Sequence, residues 1–150
     1  LAHHYFGGKD QIFLAAMRHT LAIYAAEVRD ALRGATGHRG RLEAVIRASF
    51  ASSNFQPEVI AAWLNFYVLA QTSPEAHGLW RIYQRRLHSN LLHDLRPLVG
   101  STADGSAARL AAFIDGLYLR QGLSHAQAEH SDATAQALAL LNIELGGRPQ

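Results

Sequence analysis

The segment that most constrains the fold is residues 59–70, which read Val-Ile-Ala-Ala-Trp-Leu-Asn-Phe-Tyr-Val-Leu-Ala, with Asn65 as the only strongly polar side chain. A helix of this composition has no face suited to solvent, so the pattern predicts a central helix that is buried all round. Trp63, Phe66 and Tyr67 stand at positions i, i+3 and i+4 and therefore share one face. From the pattern alone, these rings are either ordinary core or one wall of a ligand pocket.

The rest of the chain also has helical patterning. Alternating β-branched runs are absent, and alanine, leucine and arginine dominate between the glycine and proline residues that separate the segments. The predicted fold class is therefore all-α. Six helices are expected, over about residues 9–33, 41–53, 57–71, 75–98, 107–121 and 126–145.

Composition excludes several classes of function. The 150 residues are 49% hydrophobic and 17% charged, as in a globular protein, and a net charge of +2 is too small for nucleic-acid binding over the whole surface. A role in DNA binding would be local, around Lys9, the only lysine. The absence of cysteine excludes disulfides and thiolate catalysis and fits a cytoplasmic protein. Neither an apolar run of about 18 residues nor a signal pattern is present, so no membrane association is expected.

Further aromatic residues could join the central helix around a pocket. The candidates are Trp80 and Tyr83 on the fourth helix, with Phe113 and Tyr118 on the fifth, while Asn65 is expected to be a buried polar group that orients a ligand. Ring faces attract a cation that has no hydrogen to donate, by about 0.5 to 2 kcal/mol each. Such a pocket suits a quaternary ammonium.

Asp115 stands within the apolar segment 113–119. An unpaired carboxylate would be costly there, so a partner is expected. Arg120 or a backbone amide is favoured over a ligand as that partner.

The last two predicted helices carry broad apolar faces and are candidates for a dimer interface built as a four-helix bundle. Burial within the protomer alone is the open alternative. The predicted interface residues are Leu110, Phe113, Ile114, Leu117, Ala133, Ala137, Leu140 and Leu141.

An enzyme is the competing interpretation, because nine histidines invite a metal or acid-base site. The spacing argues against it, since no His-Glu-x-x-His motif and no glycine-rich phosphate loop occurs. His88 and His93 are five residues apart and point to different helix faces. No metal, no cofactor and no catalytic residue is predicted.

Four segments resemble the tetracycline-repressor (TetR) family and, within it, the choline-responsive BetI branch. They are His4-Tyr5-Phe6 with Lys9 three residues on, the segment 61–67, the segment Arg85-Arg86-Leu87-His88-Ser89-Asn90-Leu91, and the segment 112–120. The resemblance implies a homodimeric repressor that binds operator DNA, takes choline as effector and regulates glycine-betaine synthesis. A regulator of the same family with a drug or lipid-like effector is the alternative.

The resemblance also implies a domain division. Residues 1–8 would end a helix-turn-helix DNA-binding domain, and residues 9–150 would form the ligand-binding and dimerisation domain. The DNA-contacting residues would be His3, Tyr5 and Lys9. Lys9 and the amides at the start of its predicted helix would hold a phosphate.

Overall fold

The computed structural model describes residues 2–124 and 130–147, and of residues 2–7 and 130–131 the backbone alone. The described chain is helical, without strands, so the all-α prediction is confirmed. Its six α-helices are α1 (Ala2–Arg33), α2 (Gly37–Ser49), α3 (Pro57–Ala70), α4 (Pro74–Val99), α5 (Ala103–Leu123) and α6 (His130–Glu144). Short 3-10 helices lie at Ser52–Phe55 and Gly100–Thr102. In the part of the chain described, no helix is both long and apolar enough to cross a membrane.

Local signals set the ends of α3 and α4. Pro57 opens α3 and Pro74 opens α4, where a missing amide hydrogen does no harm. The Ser73 side chain accepts a hydrogen bond from the Ala76 amide at 3.3 Å and caps α4. Gly100, with φ of 64°, ends that helix in a conformation that favours glycine.

Three helices start earlier than predicted. α1 begins at Ala2 instead of Lys9, α2 at Gly37 instead of Arg41, and α5 at Ala103 instead of Ala107. For α5 the cause is packing, since Ala103 and Ala107 are both fully buried against neighbouring helices. Burial of that first turn outweighs the weak helix propensity of glycine there.

The core lies around α4, which packs against α2, α3 and α5, while α6 packs against α5 and α2. Fully buried leucines of α2, α4 and α5 meet there, among them Leu42, Leu91 and Leu110. The prediction that α3 is buried all round is wrong, because Asn65 is exposed and Val68 is 67% exposed. Helices α1 and α4 cover one side of α3 and leave the other in solvent.

Two carboxylates join helices that are distant in sequence. Asp94 of α4, only 1% exposed, accepts hydrogen bonds from Arg41 Nε at 3.0 Å and lies 2.9 Å from His38 Nδ1, both on α2. Glu144 of α6 accepts hydrogen bonds from Arg109 and Ser106 of α5. These bonds fix α2 on α4 and α6 on α5.

Candidate ligand site

Five aromatic side chains from four helices surround a small cavity, and we call them the aromatic cage: Tyr24 of α1, Trp63 and Tyr67 of α3, Tyr83 of α4 and Tyr118 of α5. Polar groups complete the lining, notably Asp115, Ser49 and Asn54. The site therefore lies where the helices converge, next to the core.

Trp63 is the centre of the cage. Its ring centroid lies 4.9 Å from that of Tyr83, 5.9 Å from that of Tyr67 and 6.0 Å from that of Tyr118. The contacts with Tyr83 and Tyr118 are edge-on, a favourable arrangement for aromatic pairs. Tyr24 closes the far side, 6.1 Å from Tyr83.

Hydrogen bonds hold three of the four phenols. The hydroxyl of Tyr83 donates to Asp115 at 2.7 Å, that of Tyr118 donates to the carbonyl of Asn54 at 2.7 Å, and that of Tyr24 lies 2.8 Å from Ser49 Oγ. Burial raises the pKa of Tyr24 to about 12 and the pKa of Tyr83 well above its ordinary value. The phenols therefore stay neutral at neutral pH and present ring faces and hydroxyl dipoles, with no negative charge of their own.

Asp115 is the one carboxylate of the cage. It accepts hydrogen bonds from the Tyr83 hydroxyl at 2.7 Å and from Gln84 Nε2 at 3.0 Å. Burial raises the pKa of Asp115. The two hydrogen bonds lower it, because they favour the ionised form, but the effect of burial is larger. The predicted partner, Arg120 or a backbone amide, is wrong, because the donors are the side chains of Tyr83 and Gln84. Among the described residues, Asp115 accepts hydrogen bonds from neutral donors only and forms no ion pair.

The cavity is small, at about 20 Å³. That is room for a single water molecule, so the cage is nearly filled by its own side chains. A second cavity of about 390 Å³ opens between α1 and α4, and we call it the α1–α4 groove. Tyr24 and Tyr83 line both spaces, so their two rings are the wall between them.

Known proteins of similar sequence and structure share this helical fold. The family model described as "BetI-type transcriptional repressor, C-terminal" matches residues 38–146. The chain belongs to this family. Its relatives are named as transcriptional regulators, which sets the chain in a regulatory family and not among enzymes.

Relatives match over most of the chain. The HTH-type transcriptional regulator BetI of Brucella suis biovar 1 (strain 1330) is 43% identical over 150 residues, covering 99% of this chain and 76% of the relative. That of Rhizobium meliloti (strain 1021) is 47% identical over 127 residues, covering 84% and 63%. A solved structure, the putative transcriptional regulator from Pseudomonas aeruginosa PAO1, superposes with a TM-score of 0.74 at 25% identity, covering 90% of this chain and 67% of that one.

The structure brings four of the predicted ligand-binding residues together, since Trp63, Tyr67, Tyr83 and Tyr118 all line the cavity. Phe66 is buried behind Trp63, with ring centroids 6.2 Å apart, and does not line it. Asn65 cannot be the buried orienting group, because it is exposed and donates to the Ala61 carbonyl at 2.8 Å. It stands two residues after Trp63, which turns it to the opposite face of α3.

Two other predicted aromatics lie away from the cage. Trp80 is half-buried beside His77, and it lines an open groove between α4 and α5. Phe113 is 37% exposed. Tyr24 was not among the predicted ligand-binding residues. It lies on α1, and helical spacing relates only residues of the same helix, so nothing in the sequence indicates that Tyr24 reaches the cage.

The DNA-binding predictions fall at the start of α1. Lys9 is exposed, with its Nζ 5.9 Å from the centroid of the Phe13 ring. It lies inside α1 and not at its start, so the expected phosphate site on the first amides of a helix is not formed at Lys9. The side chains of His3 and Tyr5 lie outside the described residues.

The predicted interface residues differ in their exposure within the protomer. Five are already buried inside the protomer, so their side chains offer almost no surface to a partner: Leu110, Ile114, Ala133, Ala137 and Leu141. Leu117 and Leu140 are partly buried against the same core, and Phe113 is exposed. The outer faces of these helices, with Ala112 and Phe113 on α5 and Ala139 and Ile143 on α6, are exposed.

Among the residues described, no group of three histidine or acidic side chains is placed to hold a metal ion. Each of two histidines instead has one carboxylate neighbour. His88 Nε2 lies 2.9 Å from Asp104, and His38 Nδ1 lies 2.9 Å from Asp94. These are contacts between helices, within the protein framework.

Proposed function

We propose that this chain is the effector-binding and dimerisation part of a transcriptional repressor that acts on operator DNA in the cytoplasm. Its effector is a small quaternary ammonium compound, choline foremost, and its target is glycine-betaine synthesis, as the family resemblance implies. The observation that carries the proposal is Asp115, a carboxylate that has no ion-pair partner among the described residues and lines a cavity with five aromatic side chains.

The chemistry of the aromatic cage favours a cation that cannot donate hydrogen bonds. Each ring face in contact with the ammonium contributes about 0.5 to 2 kcal/mol, and Asp115 adds a charge attraction. Asp115 already accepts two hydrogen bonds, so a quaternary ammonium, which needs no acceptor, suits the site better than a primary ammonium with three N–H donors to satisfy. A long lipid-like effector would require a much larger expansion of the 20 Å³ cavity than choline does, which favours choline over that alternative.

Choline is larger than the present cavity, so binding requires the cage to expand. The cage can expand at the wall formed by Tyr24 and Tyr83, because the α1–α4 groove on the other side leaves room for these two rings to move. Tyr24 belongs to α1, the helix that leads to the predicted DNA contacts. An effector that binds only when this wall moves would favour a different position of α1 and so change the DNA-binding state.

In the dimer, the exposed faces of α5 and α6 around Ala112, Phe113, Ala139 and Ile143 would meet their two-fold mates. The N-terminal turns of α1, which include His3, Tyr5 and Lys9, would reach the DNA backbone of each half-site. Half-sites of a dimeric helix-turn-helix protein lie about 34 Å apart, so a small shift of α1 suffices to lose register.

Calorimetric titration with choline tests the proposal, using Trp63→Leu and the control Phe66→Leu. Both residues are buried on α3, but only Trp63 lines the cavity. We expect the wild-type protein to bind, Trp63→Leu to bind at least about tenfold more weakly, and Phe66→Leu to bind nearly as well as wild type. Thermal melts of both variants establish that they are folded. Equal affinity of the two variants would refute the cage, and a drug or fatty acid that binds in place of choline and is weakened by Trp63→Leu would favour the alternative effector.

A further inference from the structure

The α1–α4 groove has an apolar floor with a basic rim. Leu21 and Val28 of α1 and Ile82 of α4 lie along the floor. Arg29, Arg86 and Asn90 supply its polar side chains. At about 390 Å³ the groove has the size of an ordinary small-molecule site, which the cavity of the aromatic cage does not.

The two arginines face the groove from opposite helices. Arg29 belongs to α1 and Arg86 to α4, and both are exposed. Neither has a carboxylate partner among the described residues, and no acidic side chain lines the groove. Two like charges on opposite walls leave a positive potential over an apolar surface, which is the complement of an anion with an apolar body.

We propose that the α1–α4 groove is a second ligand site, which binds a small organic carboxylate. The carboxylate lies between Arg29 and Arg86, and the apolar body of the ligand covers Leu21, Val28 and Ile82. Guanidinium groups suit this head group because they form paired, charge-assisted hydrogen bonds with carboxylates. An ion without an apolar body would leave the floor uncovered, so free phosphate or sulfate is a poorer match.

The position of the groove gives such a ligand a regulatory effect. If choline opens the aromatic cage by pushing Tyr24 and Tyr83 outward, their rings move into the groove and compete with its occupant. Choline and the carboxylate then weaken each other's binding by the same factor. This coupling rests on the proposed function, whereas the carboxylate site itself does not.

Three probes of equal chain length separate charge from apolar contact. We would titrate the protein by calorimetry with octanoate, octan-1-ol and octylammonium. Octanoate is expected to bind at least about tenfold more tightly than the alcohol, and octylammonium most weakly of the three. Equal affinity for octanoate and octan-1-ol, or no binding of octanoate, would overturn the proposal.

Variants identify the charges responsible. Arg29→Gln and Arg86→Gln should each weaken octanoate about tenfold and leave octan-1-ol unchanged. Arg81→Gln is the control, because Arg81 is an exposed arginine of α4 that does not line the groove. All three positions are at the surface, so the variants should fold. An unchanged octanoate affinity in Arg29→Gln and Arg86→Gln, or an equal loss in Arg81→Gln, would contradict the assignment.

Titration of octanoate in the presence of choline tests the coupling. We expect the apparent octanoate affinity to fall as choline is added, and the reverse titration to show the same factor. Unchanged octanoate affinity in saturating choline would refute the shared wall. If choline does not bind at all, the proposed function fails, while the affinities of octanoate and of the arginine variants still decide the second site.

Discussion

Replacing Asp115 with asparagine is the most informative perturbation, since it removes one charge and keeps the shape of the aromatic cage. The Tyr83 hydroxyl can still donate to the asparagine oxygen at the position where it now donates at 2.7 Å, and the Gln84 amide can turn so that its oxygen accepts from the asparagine nitrogen. Burial disfavours the aspartate charge and raises its pKa. The substitution should therefore preserve the fold, with a melting temperature at neutral pH equal to or above that of the wild type.

The loss of choline affinity can be worked from the charges. A quaternary ammonium held in the cage would lie about 5 Å from the carboxylate, where two unit charges at an effective dielectric of about 20 attract by about 3 kcal/mol. Because Asp115 is only partly buried, solvent should reduce this attraction to about 2 kcal/mol. Asp115→Asn should therefore bind choline about thirtyfold more weakly than the wild type. Binding of 3,3-dimethylbutan-1-ol, the uncharged analogue of choline, should be unchanged in Asp115→Asn.

The pH dependence follows from the same charge. Choline does not titrate, whereas Asp115 attracts it only when ionised. Because burial raises the pKa of Asp115, choline affinity should fall with falling pH while the pH is still above the usual range of aspartate. Calorimetry over a pH series should show this loss in the wild type and not in Asp115→Asn. Parallel pH profiles, or equal loss of the charged and uncharged ligands in the variant, would refute the reasoning.

Three further predictions concern the framework. Asp94→Asn breaks a buried ion pair and should lower the free energy of unfolding in urea by about 2 to 3 kcal/mol, whereas Asp30→Asn, at an exposed pair, should change it by less than about 0.5 kcal/mol. Tyr118→Phe leaves a buried carbonyl without its donor and should destabilise by about 1 to 2 kcal/mol in the same assay; Tyr67→Phe, whose hydroxyl has no hydrogen-bond partner in the described chain, should be nearly neutral. The hydrogen bond from Arg109 holds the pKa of Glu144 down at about 2, so the ionised Glu144 stabilises the fold above the ordinary pKa range of glutamate, and this stabilisation is lost as pH falls toward 2. Glu144→Gln should remove this part of the acid dependence of the melting temperature, and an unchanged dependence would contradict the assignment.

Much of the helical framework could be predicted because its signals are local. Pro57, and Ser73 followed by Pro74, mark the starts of α3 and α4, and the structure has those helices within a residue or two of the predicted bounds. The caps and prolines act on their own neighbours and need no tertiary contact. The start of α5 was predicted too late, because its first turn is held by burial of Ala103 against other helices.

Helical spacing predicted only the part of the candidate site that lies on one helix, whereas Tyr83 and Tyr118 were candidates only as aromatic residues of other helices. Trp63 and Tyr67 are on one face of one helix, and the structure keeps them together. Asn65 was placed wrongly because the composition of α3 does not reveal which of its sides its neighbours cover.

The sequence by itself determined the helical class, the aromatic face of α3 and the resemblance to a regulatory family, since these depend on neighbours along the chain. Only the tertiary structure decided that Tyr24 closes the aromatic cage, that Asp115 is held by Tyr83 and Gln84, and that a basic groove lies behind the wall. The partners of these groups come from helices far apart in sequence. Their meeting depends on how whole helices pack, which no local pattern specifies.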